Sequence, residues 1–574
     1  MGELLFYAGL AVFYGLVTVA WFVAPIASRF GRLLLGSAQY GPDAILNASV
    51  LEWVYGSFSS SRHVFDFPAS YPLLNSLALT ENLLGWQVFY FPLRTAGIGI
   101  VASYNVVLML SFVISGIGAA ALCRRFGASL NGATVGGFVF AFVPYHVTHS
   151  VHLQTLGVCW VPFALVYLDR ILESRRWSDA AGFALFCVMT ALSSIYFGVF
   201  LSIVTIIYSA GSVMFKRYPL DLRRAGLIAA SGVASAIALL PVVVHYVRFA
   251  RAQGPYSHSA HVVTALSMEL AGVIRVPKWQ ALWSTAEFAP NSNSATSVTW
   301  TTGFPGILVV GLTVYWLIRV SNRRESRTVA ALLLGTAIAC FLLALGPALK
   351  IHGVLPSPSL SLLPMPGRIW LVLSAIRWPL RMYFFTLLMI SVIASLGVTS
   401  LANGLVPSRR WLVTIILLAL IGFEYRPLDA FAQRSVPVPA PLAMSDAYPF
   451  LASEQDRGAI AEMPTADAKA GLAPMVSRYI YGSLGHLRRV VGSHGSIIPK
   501  VTDTLDAAIE KLPDRTAQDV LAGHGVTRLV IHKSMFRADT LSKLIAAMRR
   551  AGVPVLFEGR EGVVYSLTDS RQVH

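Results

Sequence analysis

Three histidines recur at intervals of three in PYHVTHSVHLQ, Pro144 to Gln154: His146, His149 and His152, flanked by Tyr145 and Gln154. Imidazoles so spaced could ligate a metal, hydrogen-bond a phosphate or a sugar, or form a polar edge. If the segment is helical from Pro144, the rings spread over about 120° of the helix surface and the outer two differ by about 9 Å in rise. Zinc takes nitrogen ligands at about 2.0–2.1 Å, and a helix offers them as i, i+4 pairs. The spacing therefore disfavours a single ion held by all three, and leaves open a polar edge or contact with a phosphate or sugar.

A second group lies in MPGRIWLVLSAIRWPLRMYFF, which holds Arg368, Arg377 and Arg381. Arginine close to a bilayer is costly unless it snorkels or holds an anion, and its planar fork suits phosphate. Pro379, between Arg377 and Arg381, implies a locally broken helix. A third group is acidic. Asp43 follows Gly41-Pro42, where the chain must turn, and Glu52, Asp66 and Glu81 come after it. A carboxyl near apolar surface can act as a base or bind a cation; for Glu52 and Asp66, helix capping or simple solvation explains the residue as well.

These groups are placed by a membrane. Of 574 residues 55% are hydrophobic and 13% charged, too little polar surface for a soluble fold. Apolar windows of about 20 residues fall near 4–27, 100–122, 130–144, 153–171, 179–193, 196–215, 225–247, 303–319, 328–346, 380–400 and 411–425, about eleven spans. Basic clusters at Arg124-Arg125, Arg170 with Arg175-Arg176, Lys216-Arg217 with Arg223-Arg224, Arg319 to Arg327, and Arg409-Arg410 occupy alternate loops, so all can be cytoplasmic together. The N-terminus is then expected inside and the C-terminus outside. The net charge of +17 is accounted for by those loops, without nucleic acid. The four cysteines lie within or at the ends of apolar segments, so no disulfide framework is expected.

The outer face then carries a long first loop, 28–99, with helical periodicity from Ala44 to Tyr55 that suggests an amphipathic interfacial helix. It also carries 248–302, the Pro-rich stretch 347–379 and the tail. The fold expected is mainly α: a polytopic membrane domain over 1–425 and an extracytoplasmic α/β domain over 426–574. In the tail, the strand-like runs GAIAEMP, RRVVG, TRLVIH, VPVLFEG and GVVYSL alternate with helical patterns near 501–511, 514–524 and 538–551. The tail has no Gly-rich phosphate loop, paired cysteines or nucleophile elbow, and reads as a lid or docking module.

Gly41-Pro42-Asp43 soon after the first span, YPLLNSLALTENLLG, the run FGASLNGATVGGFVFAFVPYHVTHSVHLQTLGVCWVPFALVYLDR, and IRWPLR before a late span together resemble the GT-C superfamily of polytopic glycosyltransferases, in particular bacterial members with an extracytoplasmic C-terminal domain. The resemblance implies an enzyme of the bacterial plasma membrane and cell envelope. It would transfer a sugar from a polyprenyl-phosphate donor to a lipid, glycan or protein acceptor on the outer face, inverting the anomeric carbon. By that analogy Asp43 is the base or orients the acceptor hydroxyl, and Glu81 is a second carboxylate. Arg377 and Arg381 neutralise the departing phosphate, while Tyr145 or Tyr71 stacks on the sugar. His146, His149, His152 and Gln154 line the phosphate and sugar pocket, with the histidines partly protonated beside the anion. Asp43 is followed by Ala44-Ile45 and not by a second acid, so no metal or other cofactor is expected. Two rival readings are a transporter or flippase of a lipid-linked substrate, which predicts ionisable residues deep in spans and an internal repeat, and a non-catalytic cell-envelope assembly factor.

Overall fold

A computed structural model describes residues 2–36, 41–219, 221–253, 260–277, 279–283, 302–320, 324–347, 349–350, 377–428, 435–465, 474–493 and 499–568. Arg368 and most of the Pro-rich stretch lie outside the described residues. The chain divides into two compact units, one of Met1–Ala27, Val106–Pro241 and Tyr256–Gln433, the other of Ser28–Asn105, Val242–Pro255 and Arg434–His574.

The first unit is helical and the chain is a multi-pass membrane protein. Among the described residues seven helices are long and apolar enough to cross a bilayer: Gly2–Arg29, Ile100–Arg125, Leu153–Ser174, Ile195–Met214, Leu222–Gln253, Ser326–Ala344 and Pro379–Ala402. The four remaining apolar windows also form helices: Leu130–Phe142, Trp177–Ser193, Ile307–Arg319 and Pro407–Tyr425. These are shorter or, in the last case, carry Arg409, Arg410 and Glu424.

Small residues bring the two central helices together. Leu130–Phe142 packs on Tyr383–Ala402 through Gly132 and Gly136, where an added Cβ would overlap the Ser395 carbonyl oxygen and lie 2.8 Å from Ser395 Cβ, respectively. Close backbone approach at glycine, four residues apart, is how helices associate where no hydrophobic effect drives them together. Gly136→Leu is expected to destabilise this unit by about 1–3 kcal/mol through overpacking. Gly311→Ala, which meets nothing within 4 Å, serves as the control. Thermal unfolding in detergent distinguishes the two.

The second unit is mixed. Its sheet runs in the order Ala459–Met463, Val526–His532, Gly562–Ser566, Val555–Glu558, with the first pair parallel and the others antiparallel. The helices Lys500–Glu510, Arg515–Gly523 and Ala538–Arg550 cover it, with Leu505, Ile509, Leu521 and Met548 in a core with Leu529, Ile531 and Val563. These are the elements expected of the tail, except that RRVVG supplies only an isolated bridge, Val490 to Ile460. The first loop belongs to this unit. Its helix Gly41–Phe58 packs on Pro474–His486, and Ser70 and Tyr71 donate their backbone N–H groups to Gly492 O and Val490 O at 3.0 Å. Residues 44–51 are all buried while Glu52, Tyr55 and Gly56 are half-buried and Phe58 is exposed, so the first turns of this helix are enclosed and it lacks the one-sided exposure expected of an interfacial helix.

Candidate functional site

Two prolines shape the centre of the first unit. A proline ring clashes with the preceding turn and forces its predecessor into extended backbone. Val143 accordingly leaves helical geometry (ψ 139°) before the short helix Pro144–Thr148. Trp378 does so (φ −121°, ψ 71°) before the 3-10 turn Pro379–Met382. His152 makes a further break (φ −114°, ψ 87°), so the three histidines do not share one continuous helix.

The hydroxyl of Tyr145 ties the two proline turns together, donating to Leu380 O at 2.7 Å. Its ring lies 4.3 Å from His149, 5.2 Å from Tyr383 and 4.8 Å from Phe384. His146 is enclosed by Phe112, Phe140 and Phe384 at 5.1, 5.7 and 5.5 Å, and forms part of the wall. His152 lies 6.5 Å from His149 and 6.4 Å from Trp378. Gln154 is half-buried in the turn Leu153–Leu156. The guanidinium of Arg381 is buried between two rings, 5.6 Å from Tyr196 and 5.3 Å from Trp378. Arg377 lies 5.9 Å from the same indole. A guanidinium over aromatic rings gains cation–π attraction, which holds the cation in place away from water.

The histidine segment lies between membrane-crossing helices. Nδ1 of His146 is 3.1 Å from Phe140 O and Nδ1 of His149 is 2.8 Å from Tyr145 O. A carbonyl only accepts, so each Nδ1 carries the proton. Burial pushes His146 down to about 4 and holds His149 well below the usual imidazole range, with His152, Arg381 and His146 acting on His149 in the same direction. Burial thus favours the neutral form of both rings, whereas partial protonation was expected beside a bound anion. A histidine depressed in the folded state makes folding less favourable as pH falls below the unfolded value near 6.5. Melting is expected at progressively lower temperature from about pH 6.5 toward 4, and His146→Gln should flatten that slope; intrinsic fluorescence across the range checks it.

Sequence reasoning missed Trp378, Tyr196, Tyr383 and a buried charge cluster in the same unit. Arg275 and Glu269 pair at 2.7 Å, both buried. Lys350 donates to Ala265 O at 3.0 Å and is pushed down to about 8 by burial, against the pull of Glu269. Backbone bonds from Met268 N to Ala344 O and from Leu380 N to Leu266 O attach this segment to the Arg381 turn. An apolar groove of about 480 Å³, lined by Ile274, Phe304, Leu334, Ile338, Phe341 and Tyr383, runs beside it. The tryptophan before a proline was the available signal; the groove had none, because apolar residues facing a groove look like those facing lipid.

The acidic candidates lie in the second unit. Asp43 is half-buried in the first turn of Gly41–Phe58, with Asn47 one turn on and Tyr104 as an electrostatic neighbour. Glu81 is buried beyond the turn Ser76–Leu79. Glu52 is structural, held by Arg94 at 2.7 Å and by the Tyr90 hydroxyl at 2.8 Å. Asp66 accepts from Asn75 N at 2.8 Å. Tyr71 packs against Arg489, whose guanidinium is 5.1 Å from the ring. Among the described residues no three His, Cys, Asp or Glu side chains are grouped to hold a metal ion.

Three solved structures share this architecture. One is an oligosaccharyltransferase of Archaeoglobus fulgidus (TM-score 0.52, 13% identity, covering 98% of this chain and 74% of that one). Another is ArnT of Cupriavidus metallidurans bound to undecaprenyl phosphate (0.51, 12%, 99% and 98%). The third is the arabinofuranosyltransferase AftD from Mycobacteria (0.58, 14%, 98%), of which this chain spans only 41%. At such identities the likeness is one of fold, and the fold is that of the GT-C glycosyltransferases. No curated protein matches the sequence. Residues 96–422, more than half of the chain, match DUF6311, a domain of unknown function, and the chain belongs to that family.

Proposed function

We propose that the chain is a membrane glycosyltransferase that takes a sugar from a polyprenyl-phosphate donor and passes it, with inversion, to a lipid, glycan or protein acceptor on the extracytoplasmic face. The observation that carries this reading is Arg381, a buried guanidinium between Tyr196 and Trp378 whose turn leads directly into Tyr383, a wall residue of the apolar groove. A long isoprenoid suits such a groove, and a phosphate suits a buried planar cation. The undecaprenyl phosphate bound to ArnT, a structure of the same fold, supports that class of ligand. The basic clusters in alternate loops support a cytoplasmic side for those loops and an outer side for the tail.

In the reaction the acceptor oxygen attacks the anomeric carbon as the bond from that carbon to the phosphate oxygen breaks. Its electron pair goes to the phosphate, and the hydroxyl proton goes to a carboxylate, assigned to Asp43. Arg381, supported by Arg377, stabilises the charge that develops on the phosphate. Trp378, half-buried and extended ahead of Pro379, offers a ring to the sugar, whereas Tyr145 is enclosed and acts by holding the Arg381 turn.

The test is transfer by purified protein in lipid nanodiscs supplied with polyprenyl-phosphate pentoses and hexoses, reading release of the polyprenyl phosphate. Consumption of none of these donors with any envelope acceptor would count against the reading. A chelator is expected to leave transfer unchanged; loss restored by Mg²⁺ or Mn²⁺ would show that the chemistry needs a metal.

A further inference from the structure

The helix Leu130–Phe142 has the histidine segment at its C-terminal end and the Arg124-Arg125 turn before its N-terminal end. At that basic end a cavity of about 740 Å³ opens between the start of the Gly2–Thr18 helix and the ends of Ile100–Arg125, Val161–Ser174 and Trp177–Ser193. Its wall is apolar, with Ile117, Phe163 and Val166, and its rim carries charges of both signs. Several rim charges satisfy one another. Arg125 pairs with Asp169 at 2.5 Å and Glu173 at 2.6 Å, and Arg170 pairs with Asp179 at 2.8 Å. Glu3, Arg124 and Arg176 also line the cavity and have no ion-pair partner among the described residues.

We propose that this cavity binds a phospholipid with a phosphoethanolamine headgroup. Two guanidinium groups and one carboxylate complement a phosphate monoanion joined to a primary ammonium, Arg124 and Arg176 taking the phosphate and Glu3 the ammonium. The apolar wall of Ile117, Phe163 and Val166 takes the upper part of an acyl chain. A glycerol headgroup would satisfy the arginines but carries no cation, leaving Glu3 unpaired beside the phosphate. A choline headgroup would match in charge but has no N–H to donate to the carboxylate. By the positive-inside rule the site faces the cytoplasmic leaflet.

The full-length protein, delipidated in detergent and offered equal amounts of phosphatidylethanolamine, phosphatidylglycerol and phosphatidylcholine, reports the bound lipid by native mass spectrometry. Phosphatidylethanolamine is expected to be retained about threefold to fivefold over each of the others, the range set by partly exposed charge pairs. Glu3→Gln should erase the preference over phosphatidylcholine. Arg176→Gln should lower retention of all three lipids by a similar factor, and Arg409→Gln, at an exposed position away from the cavity, should change nothing. Glu3 and Arg176 are exposed, so both variants should fold, and melting temperature verifies this. Equal retention of the three lipids, preference for phosphatidylglycerol, no retained lipid, or a preference that survives Glu3→Gln overturns the proposal.

Discussion

Arg381→Ala is expected to lower sugar transfer by about 10²- to 10³-fold, the usual loss when one preorganised donor to a developing anion is removed. The guanidinium is buried and lies over the rings of Tyr196 and Trp378, so the phosphate would meet a fixed cation in a place where water screens little. Arg381→Lys keeps the charge, loses the fork and the stacking, and should recover only part of the rate. Arg377→Ala, half-buried and over one face of Trp378, should cost about tenfold or less. Alanine at 381 also removes packing from Tyr196 and Trp378, so melting temperature and donor affinity are needed beside the rate. A rate within twofold of the unmodified protein, with the fold intact, would exclude Arg381 from the donor site.

Asp43→Asn is expected to lower transfer by about 10²- to 10⁴-fold while leaving donor affinity and expression near normal, because the amide is nearly isosteric but takes no proton. Asp43 opens the helix Gly41–Phe58 with its side chain half-buried, and Asn47, four residues on, shares its face. Donor binding can be measured without acceptor, which separates loss of the base from loss of the lipid site. Undiminished transfer by Asp43→Asn would remove this residue from the chemistry, and Glu81→Gln would then be the next variant to assay. The two carboxylates differ in burial, Glu81 being enclosed where Asp43 is half-exposed, so a base that must meet a soluble hydroxyl is better assigned to Asp43.

Hydropathy marked every window that became a helix in the first unit, because a bilayer-facing helix needs only a local run of apolar side chains. It marked Leu130–Phe142 and Pro407–Tyr425 as readily as the longer spans, although the first depends on glycine contacts with a partner helix. The tail was legible for the same local reason, since alternation in TRLVIH and GVVYSL and periodicity in its helices are written in neighbouring residues. Pro144 and Pro379 also announced their breaks, each acting on the residue beside it.

What the sequence determined by itself was therefore whatever rests on near neighbours: a polytopic chain, the order of its elements, the mixed C-terminal fold, and prolines beside the arginines and histidines. Only the tertiary structure decided which ring meets which cation. Tyr196 and Trp378 are far apart in the chain, and nothing short of the packed helices brings both to Arg381. It also decided that His146 and His149 are buried, which favours their neutral form, since burial is a property of surrounding elements and not of a spacing of three. The Ala44–Tyr55 periodicity gave the helix but not its burial for that reason too: residues read as half-wet from their own sequence are buried where other elements, among them Pro474–His486, pack against them.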